Sequence, residues 1–113
     1  VSPNVDTAVI ERTLELSLDA APGFATASEA FTAIKAGASV LKLFPACIYG
    51  PRHLSALKAV LPAGVRVLAV GGVGASDFAA WRAAGADGFG LGGELYRAGD
   101  DAAKVARVAR EAV

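Results

Sequence analysis

Short apolar runs alternate with helix-patterned stretches along the whole chain, and their starts recur about every twenty residues, the spacing of successive (β/α) modules. That alternation restricts the fold more than any other feature. It calls for a parallel sheet with crossover helices and excludes all-α and all-β architectures. Asp6 is placed to cap a first helix that carries Ile10 and Leu14 at helical spacing through about Ser17. A short strand is expected at Leu18 to Pro22, closed by Pro22-Gly23. ATASEAFTAIKAG then reads as a helix, with Ser28 near its start and Gly37 just past its end. SVLKLF, Ser39 to Phe44, is the next strand, followed by a Pro45 to Pro51 loop and a helix from about His53 to Val60. Val65 to Val70 repeats the strand, Gly71 to Ala75 the turn, and Asp77 to Ala84 the helix, with Ser76 as its cap and Gly85 as its stop. A glycine-rich strand at Ala86 to Leu91 leads to Gly92-Gly93, a turn at Glu94 to Tyr96 and a terminal helix from about Asp100.

This makes four nearly whole units and the stub of a fifth in 113 residues. A closed (β/α)8 barrel needs roughly 200 residues or more. The expected fold class is therefore α/β, about half of such a barrel, with residues 1–113 as one partial barrel domain. The chain opens on Val1, without Met, in the middle of what reads as a strand end, VSPN, and a fragment is expected.

Composition narrows the partners. Hydrophobic residues make up 54% of the chain, and 11 basic residues balance 11 acidic ones. Lys and Arg are scattered, so no electrostatic footprint marks nucleic acid or a membrane surface as a partner. Runs such as Val65 to Val73 are too short to span a bilayer, and no charged segment precedes an apolar one at the start. A cytoplasmic protein is expected. The lone Cys47 has no CxxC or His partner nearby, so neither a disulfide framework nor a zinc site is expected, and no cofactor is implied.

The residue that carries chemistry is Lys42. Along SVLKLF the side chains alternate, so Val40, Lys42 and Phe44 face one way while Leu41 and Leu43 face the surrounding helices. An interior ammonium is costly, and burial favours the neutral amine. A neutral amine can attack a ketone, and the resulting iminium stabilises a carbanion at the adjacent carbon. Lys42 also lies near the C-terminal end of its strand, where barrel enzymes place their chemistry. An edge-strand lysine with its head in water is the structural alternative.

Two glycine pairs point to a phosphate. RVLAV runs directly into Gly71-Gly72 before a helix, and the next strand ends in Gly92-Gly93 before a short turn, leaving backbone N–H groups free in corresponding places. Each pair alone is equally well explained as a tight turn. His53 reads as a surface or capping residue, Cys47 as filler, and Trp81 and Phe78 as packing against the barrel wall. Arg97 is within reach of the second turn but reads as solvated.

SVLKLFPA, AVGGV, PGFATASEAF and LGGELYRAG together resemble the 2-keto-3-deoxy-6-phosphogluconate and 6-phosphogalactonate aldolases, over essentially the whole chain. The resemblance implies the last half of that family's barrel, from the end of strand four at Val1 to Asn4 through helix eight, with Lys42 on strand six. It implies metal-independent class I cleavage of a phosphorylated 2-keto-3-deoxy sugar acid to pyruvate and glyceraldehyde 3-phosphate. Lys42 matches the imine-forming lysine, and Gly71, Gly72, Gly92 and Gly93 match the two phosphate turns. Gly93 stands where the family often has serine, so a hydroxyl contact to phosphate is missing. Pro3 matches a proline that lies against pyruvate.

Val70 is similar to the Val-Gly-Gly of the phosphogalactonate enzymes rather than the Thr-Gly-Gly of the phosphogluconate ones, and the expected substrate is the galactonate epimer. The family's general acid/base glutamate and its carboxylate-binding arginine and threonine have no counterpart here. The resemblance also implies a homotrimer of complete barrels. Three readings follow: a galactonate- or gluconate-type aldolase, inactive as this chain alone; a non-catalytic phosphate-binding half-barrel; or another phosphate-binding barrel enzyme in which Lys42 acts only as a charge.

Overall fold

A computed structural model describes residues 1–113 as five helices and four strands in the order α1 (Thr7–Glu15), β1 (Gly23–Phe24), α2 (Ala27–Lys35), β2 (Val40–Leu43), α3 (Ala46–Lys58), β3 (Arg66–Val70), α4 (Phe78–Ala83), β4 (Gly88–Gly90) and α5 (Ala102–Glu111). A 3-10 turn, Ala75–Asp77, leads into α4. All strand pairs are parallel, and the sheet runs β1-β2-β3-β4 in chain order. That is the arrangement of consecutive modules in half of a (β/α)8 barrel.

The core lies between the helices and one face of the sheet. Leu41, Leu43, Val67 and Ala69 point into it and are fully buried against Ala30, Ala33, Leu54, Leu57 and Trp81. Phe89 stacks on Phe78 of α4 on the same side, with ring centroids 3.9 Å apart. Because neighbours along a strand alternate faces, Val40, Lys42, Phe44, Arg66, Leu68, Val70, Gly88 and Gly90 form the opposite, inner face.

Helix starts follow local chemistry. Asp6 caps α1 by accepting from the Val9 N–H at 3.2 Å. Thr26 caps α2 in a reciprocal box: its hydroxyl accepts from Glu29 N–H, while the Glu29 carboxylate accepts from the N–H groups of Ala25 and Thr26 at 2.8 Å each. The carboxyl of Glu29 is held below its ordinary range chiefly by those two backbone bonds.

Several boundaries differ from the sequence reading. Leu18 to Pro22 is not a strand, and β1 is the pair Gly23–Phe24 that follows it, held by its bonds to β2. Val1 to Asn4 is not a strand either. The loop expected from Pro45 to Pro51 is helical from Ala46, with a kink at Gly50 (φ 78°), where Pro51 removes a donor. At α4 it is Asp77, not Ser76, whose side chain accepts from a free N–H, that of Gly74 at 2.9 Å. The terminal helix starts at Ala102, capped by Asp101.

A latch closes the N-terminal end of the sheet. Asp87 accepts from the Val67 N–H at 2.7 Å and from Lys58 Nζ at 3.0 Å, and Lys58 Nζ also donates to the Val65 carbonyl. Desolvation raises the Asp87 pKa, but the bonds from Val67 and Lys58 and the charges of Lys58 and Arg66 together hold it below the usual carboxylate value. A depressed carboxylate contributes stability that is present above its unfolded pKa, about 4, and is lost as pH falls through the lower folded value. Asp87→Asn is therefore expected to cost about 1 kcal/mol at neutral pH and to flatten the acid limb of stability against pH below about 4. Urea titrations at pH values on either side of that point check this.

Candidate active site

The site is built on the inner face of β2 and β3 at their C-terminal ends. One row of paired residues crosses the sheet there: Gly23, Lys42, Leu68 and Gly88 lie side by side. Lys42 is thus flanked by a glycine and an apolar side chain and is only 8% exposed, although the inner face itself is open and none of the surface clefts includes it. Desolvation alone acts on its amine and lowers the pKa from the ordinary lysine value. Four ion pairs tie other side chains together, and none involves Lys42. No carboxylate is in place to hold the ammonium charged, so Lys42 gives up its proton to become the nucleophilic amine more readily than an ordinary lysine does.

The next row toward the C-terminal end contains Phe44, Val70 and Gly90. The Lys42 Nζ lies 4.5 Å from the centroid of the Phe44 ring. Val70 leans over Gly90, where a Cβ would stand 2.8 Å from its Cγ2, so the bare Gly90 makes room for the valine. Pro3 reaches the same region from the chain start. Its carbonyl oxygen is 2.3 Å from where a Cβ on Gly23 would lie, so only glycine permits this approach one strand away from Lys42.

The two glycine turns lie beyond these strand ends. Gly71 and Gly72 both have positive φ, 95° and 66°. The Gly71 carbonyl accepts from Cys47 N–H at 3.0 Å, and a Cβ on Gly72 would lie 2.6 Å from the Cys47 sulfur. At the second turn the Gly92 carbonyl accepts from Leu95 and Tyr96, and the Gly93 carbonyl from Arg97 Nε at 2.9 Å. The carbonyls of Gly71, Gly92 and Gly93 are thus used internally. The N–H groups of Gly71, Gly72 and Val73, and of Gly92, Gly93 and Glu94, donate to nothing in the chain. The turns are neighbours: the Cβ position of Gly74 is 3.9 Å from the Cγ of Glu94. Two clusters of free donors beside each other are suited to the oxygens of a phosphate.

Lys42, Val70, Pro3 and both glycine turns therefore gather at one end of the sheet. His53 does not join them: it bonds the Ala25 carbonyl at 2.6 Å and stacks on Tyr49, which fits a packing role. Glu29 is consumed by its capping box. The sequence reading missed Phe44, although the alternation that turned Lys42 inward placed Phe44 on the same face. Val73 and Glu94, whose backbone N–H groups extend the two turns, carry no side-chain signal that could have marked them. No cluster of three or more His, Cys, Asp or Glu side chains that could hold a metal ion is present, and no helix is long and apolar enough to cross a membrane.

Residues 1–110 match the family model for KDPG and KHG aldolase. The chain is 49% identical over 109 residues to the 2-dehydro-3-deoxy-6-phosphogalactonate aldolase of Escherichia coli (strain K12), covering 96% of this chain and 53% of the relative. It is 46% identical over 105 residues to a probable 2-dehydro-3-deoxy-6-phosphogalactonate aldolase of Rhizobium meliloti (strain 1021), covering 93% and 50%. A solved structure described as native KDPGal superposes with a TM-score of 0.95 at 47% identity, over 97% of this chain and 53% of that one. The chain spans about half the length of the curated relatives it matches.

Proposed function

Because the chain belongs to the KDPG and KHG aldolase family, we propose that it supplies the imine-forming half of a class I aldolase acting on 2-dehydro-3-deoxy-6-phosphogalactonate. Residues 1–113 would then run from the end of strand four to helix eight of the barrel. The observation that carries this reading is the placement of Lys42: a desolvated amine without an ionic partner, one row from two turns with six unbonded N–H groups.

In the proposed reaction Lys42 Nζ condenses with the C2 ketone of the substrate, and the iminium draws electrons as the C3–C4 bond breaks. The C4 hydroxyl proton goes to a base, glyceraldehyde 3-phosphate leaves, and the enamine left on Lys42 is protonated and hydrolysed to pyruvate. Gly71, Gly72, Gly92 and Gly93 hold the phosphate through backbone N–H groups, and Pro3 borders the three-carbon acid. No metal or cofactor enters this scheme. By analogy with complete barrels, the assembled enzyme would be a cytoplasmic homotrimer.

One observation favours a second reading, a non-catalytic phosphate-binding module. No carboxylate stands near Lys42, so the base must come from outside these residues. The two readings separate in a pyruvate-release assay of the chain alone and of the chain mixed with the other half of the Escherichia coli relative. Turnover in the mixture supports the aldolase. Silence in both, with phosphate still bound, supports the module.

Epimer choice is assigned to Val70. A hydroxyl at this position can bond a C4 hydroxyl that an isopropyl group cannot, so Val70→Thr is expected to shift the ratio of kcat/KM toward the gluconate epimer by about 10-fold. Kinetics of the assembled halves with both epimers measure that ratio directly.

A further inference from the structure

Phe44, the residue directly after β2, carries the only aromatic ring on the inner face beside β2, β3 and β4, and it touches both halves of the site. Its centroid is 4.5 Å from Lys42 Nζ, within the range of a cation–π contact. Its Cε2 and Cδ2 atoms lie 3.0 and 3.1 Å from where a Cβ on Gly71 would stand, so any side chain at Gly71 would displace the ring. The ring is thus wedged between the amine and the first glycine turn. It is also the only group placed to compensate positive charge on Lys42. The paired residues on either side are Gly23 and Leu68, Arg66 lies two residues toward the other end of β3, and no charged side chain acts on the amine.

We propose that Phe44 is a positioning residue for the imine, its ring face receiving the cationic nitrogen of Lys42 while the bare Gly71 lets the ring keep that pose. The inference rests on the imine reading above. In the condensation, Nζ bonds to C2 of the keto acid and the carbonyl π pair moves to oxygen, which takes a proton as nitrogen loses one. A second proton converts the hydroxyl to water, which leaves as the nitrogen lone pair closes the C=N bond. One proton is consumed and one water released. The iminium carries the same single positive charge as the starting ammonium, whereas the neutral amine and carbinolamine carry none. A ring against the nitrogen therefore favours both cations over both neutral species.

That symmetry gives the test a distinctive form. Where Lys42 is protonated, losing the ring weakens reactant and iminium alike. Where Lys42 is already neutral, only the iminium loses.

The experiment incubates the chain with excess pyruvate and a low concentration of cyanoborohydride. It follows the reduced adduct on Lys42 from neutral pH to above the ordinary lysine titration near about 10.4. Phe44→Leu is expected to match the unaltered chain at neutral pH and to fall about 3- to 30-fold behind it at the alkaline end. Phe44→Tyr keeps the π face and is expected to follow the unaltered chain throughout. The NMR titration of the Lys42 side chain is expected to move to lower pH in Phe44→Leu only.

The proposal is overturned if Phe44→Leu tracks the unaltered chain at every pH, or if Leu and Tyr variants fall together, which would mark lost packing rather than a lost ring face. If the unaltered chain forms no adduct on Lys42 at any pH, the imine reading fails and this inference with it. An adduct that persists unchanged in Phe44→Leu sinks the inference alone.

Discussion

Lys42→Met is expected to remove the pyruvate adduct and to lower turnover of the assembled halves by about 10⁴-fold or more, because no other group on the inner face can form an imine. Methionine keeps most of the length and apolar bulk of the stem, so the loss is chemical rather than structural. The same change is expected to raise stability at neutral pH. Burial lowers the folded pKa of Lys42, so the folded chain holds this proton less tightly than the unfolded chain does. The ammonium is therefore a cost to folding below the folded pKa, and that cost disappears as pH rises from there to the unfolded value. The gain from methionine should be largest near neutrality and shrink toward strongly alkaline pH. Lys42→Arg makes the contrast: it keeps a permanent charge on the inner face, loses the nucleophile, and should be both inactive and less stable. Thermal melts across pH and pyruvate-release kinetics check the pair. A methionine variant that still turns over would remove Lys42 from the mechanism.

Gly72→Ala has the second large effect. The residue sits at φ 66°, which costs a non-glycine residue about 1 kcal/mol, and its Cβ would stand 2.6 Å from the sulfur and 2.8 Å from the Cβ of Cys47. Relieving that overlap costs about a further 2 kcal/mol and pushes the β3–α4 turn away from the start of α3. A drop in Tm of about 10 to 20 °C is expected, with the affinity for inorganic phosphate falling in parallel, since the N–H groups of Gly71, Gly72 and Val73 move together. Adding Cys47→Ala removes the sulfur but not the backbone strain, so the double variant should regain about 1 kcal/mol and no more. Full recovery would show that the positive φ imposes no cost, and no recovery that the turn is not packed on Cys47.

These expectations depend on features that were unequally visible in the sequence. Lys42 was legible because a charged residue interrupts an apolar strand, and strict alternation decides which face it takes. The glycine pairs were legible as turns. Their meaning was not, because free N–H groups depend on where the carbonyls go, and Gly71 and Gly92 use theirs on Cys47, Leu95 and Tyr96.

The misplaced elements share a cause. β1 has only two residues, too few for a periodicity, and exists because β2 offers Lys42 and Leu43 as partners. The first turn of α3 hides behind Pro51, since proline and Gly50 together read as a loop while Ala46 to Tyr49 coil in front of them. At α4 the sequence points to Ser76 as the cap, because Ser76 directly precedes the helical pattern, whereas the geometry of the 3-10 turn puts the Asp77 carboxylate on the Gly74 N–H. Phe44 was on the correct face from the start, yet a ring on a barrel wall is ordinary packing until its distance to the amine is known.

One lysine of four in this chain, Lys42 rather than Lys35, Lys58 or Lys104, is expected to form a covalent imine with a keto acid. Borohydride reduction of the chain in the presence of pyruvate, followed by peptide mass mapping, tests it most directly. A single reduced adduct confined to the peptide that contains Lys42 is expected. An unmodified Lys42, or an adduct distributed over the three other lysines, would contradict it.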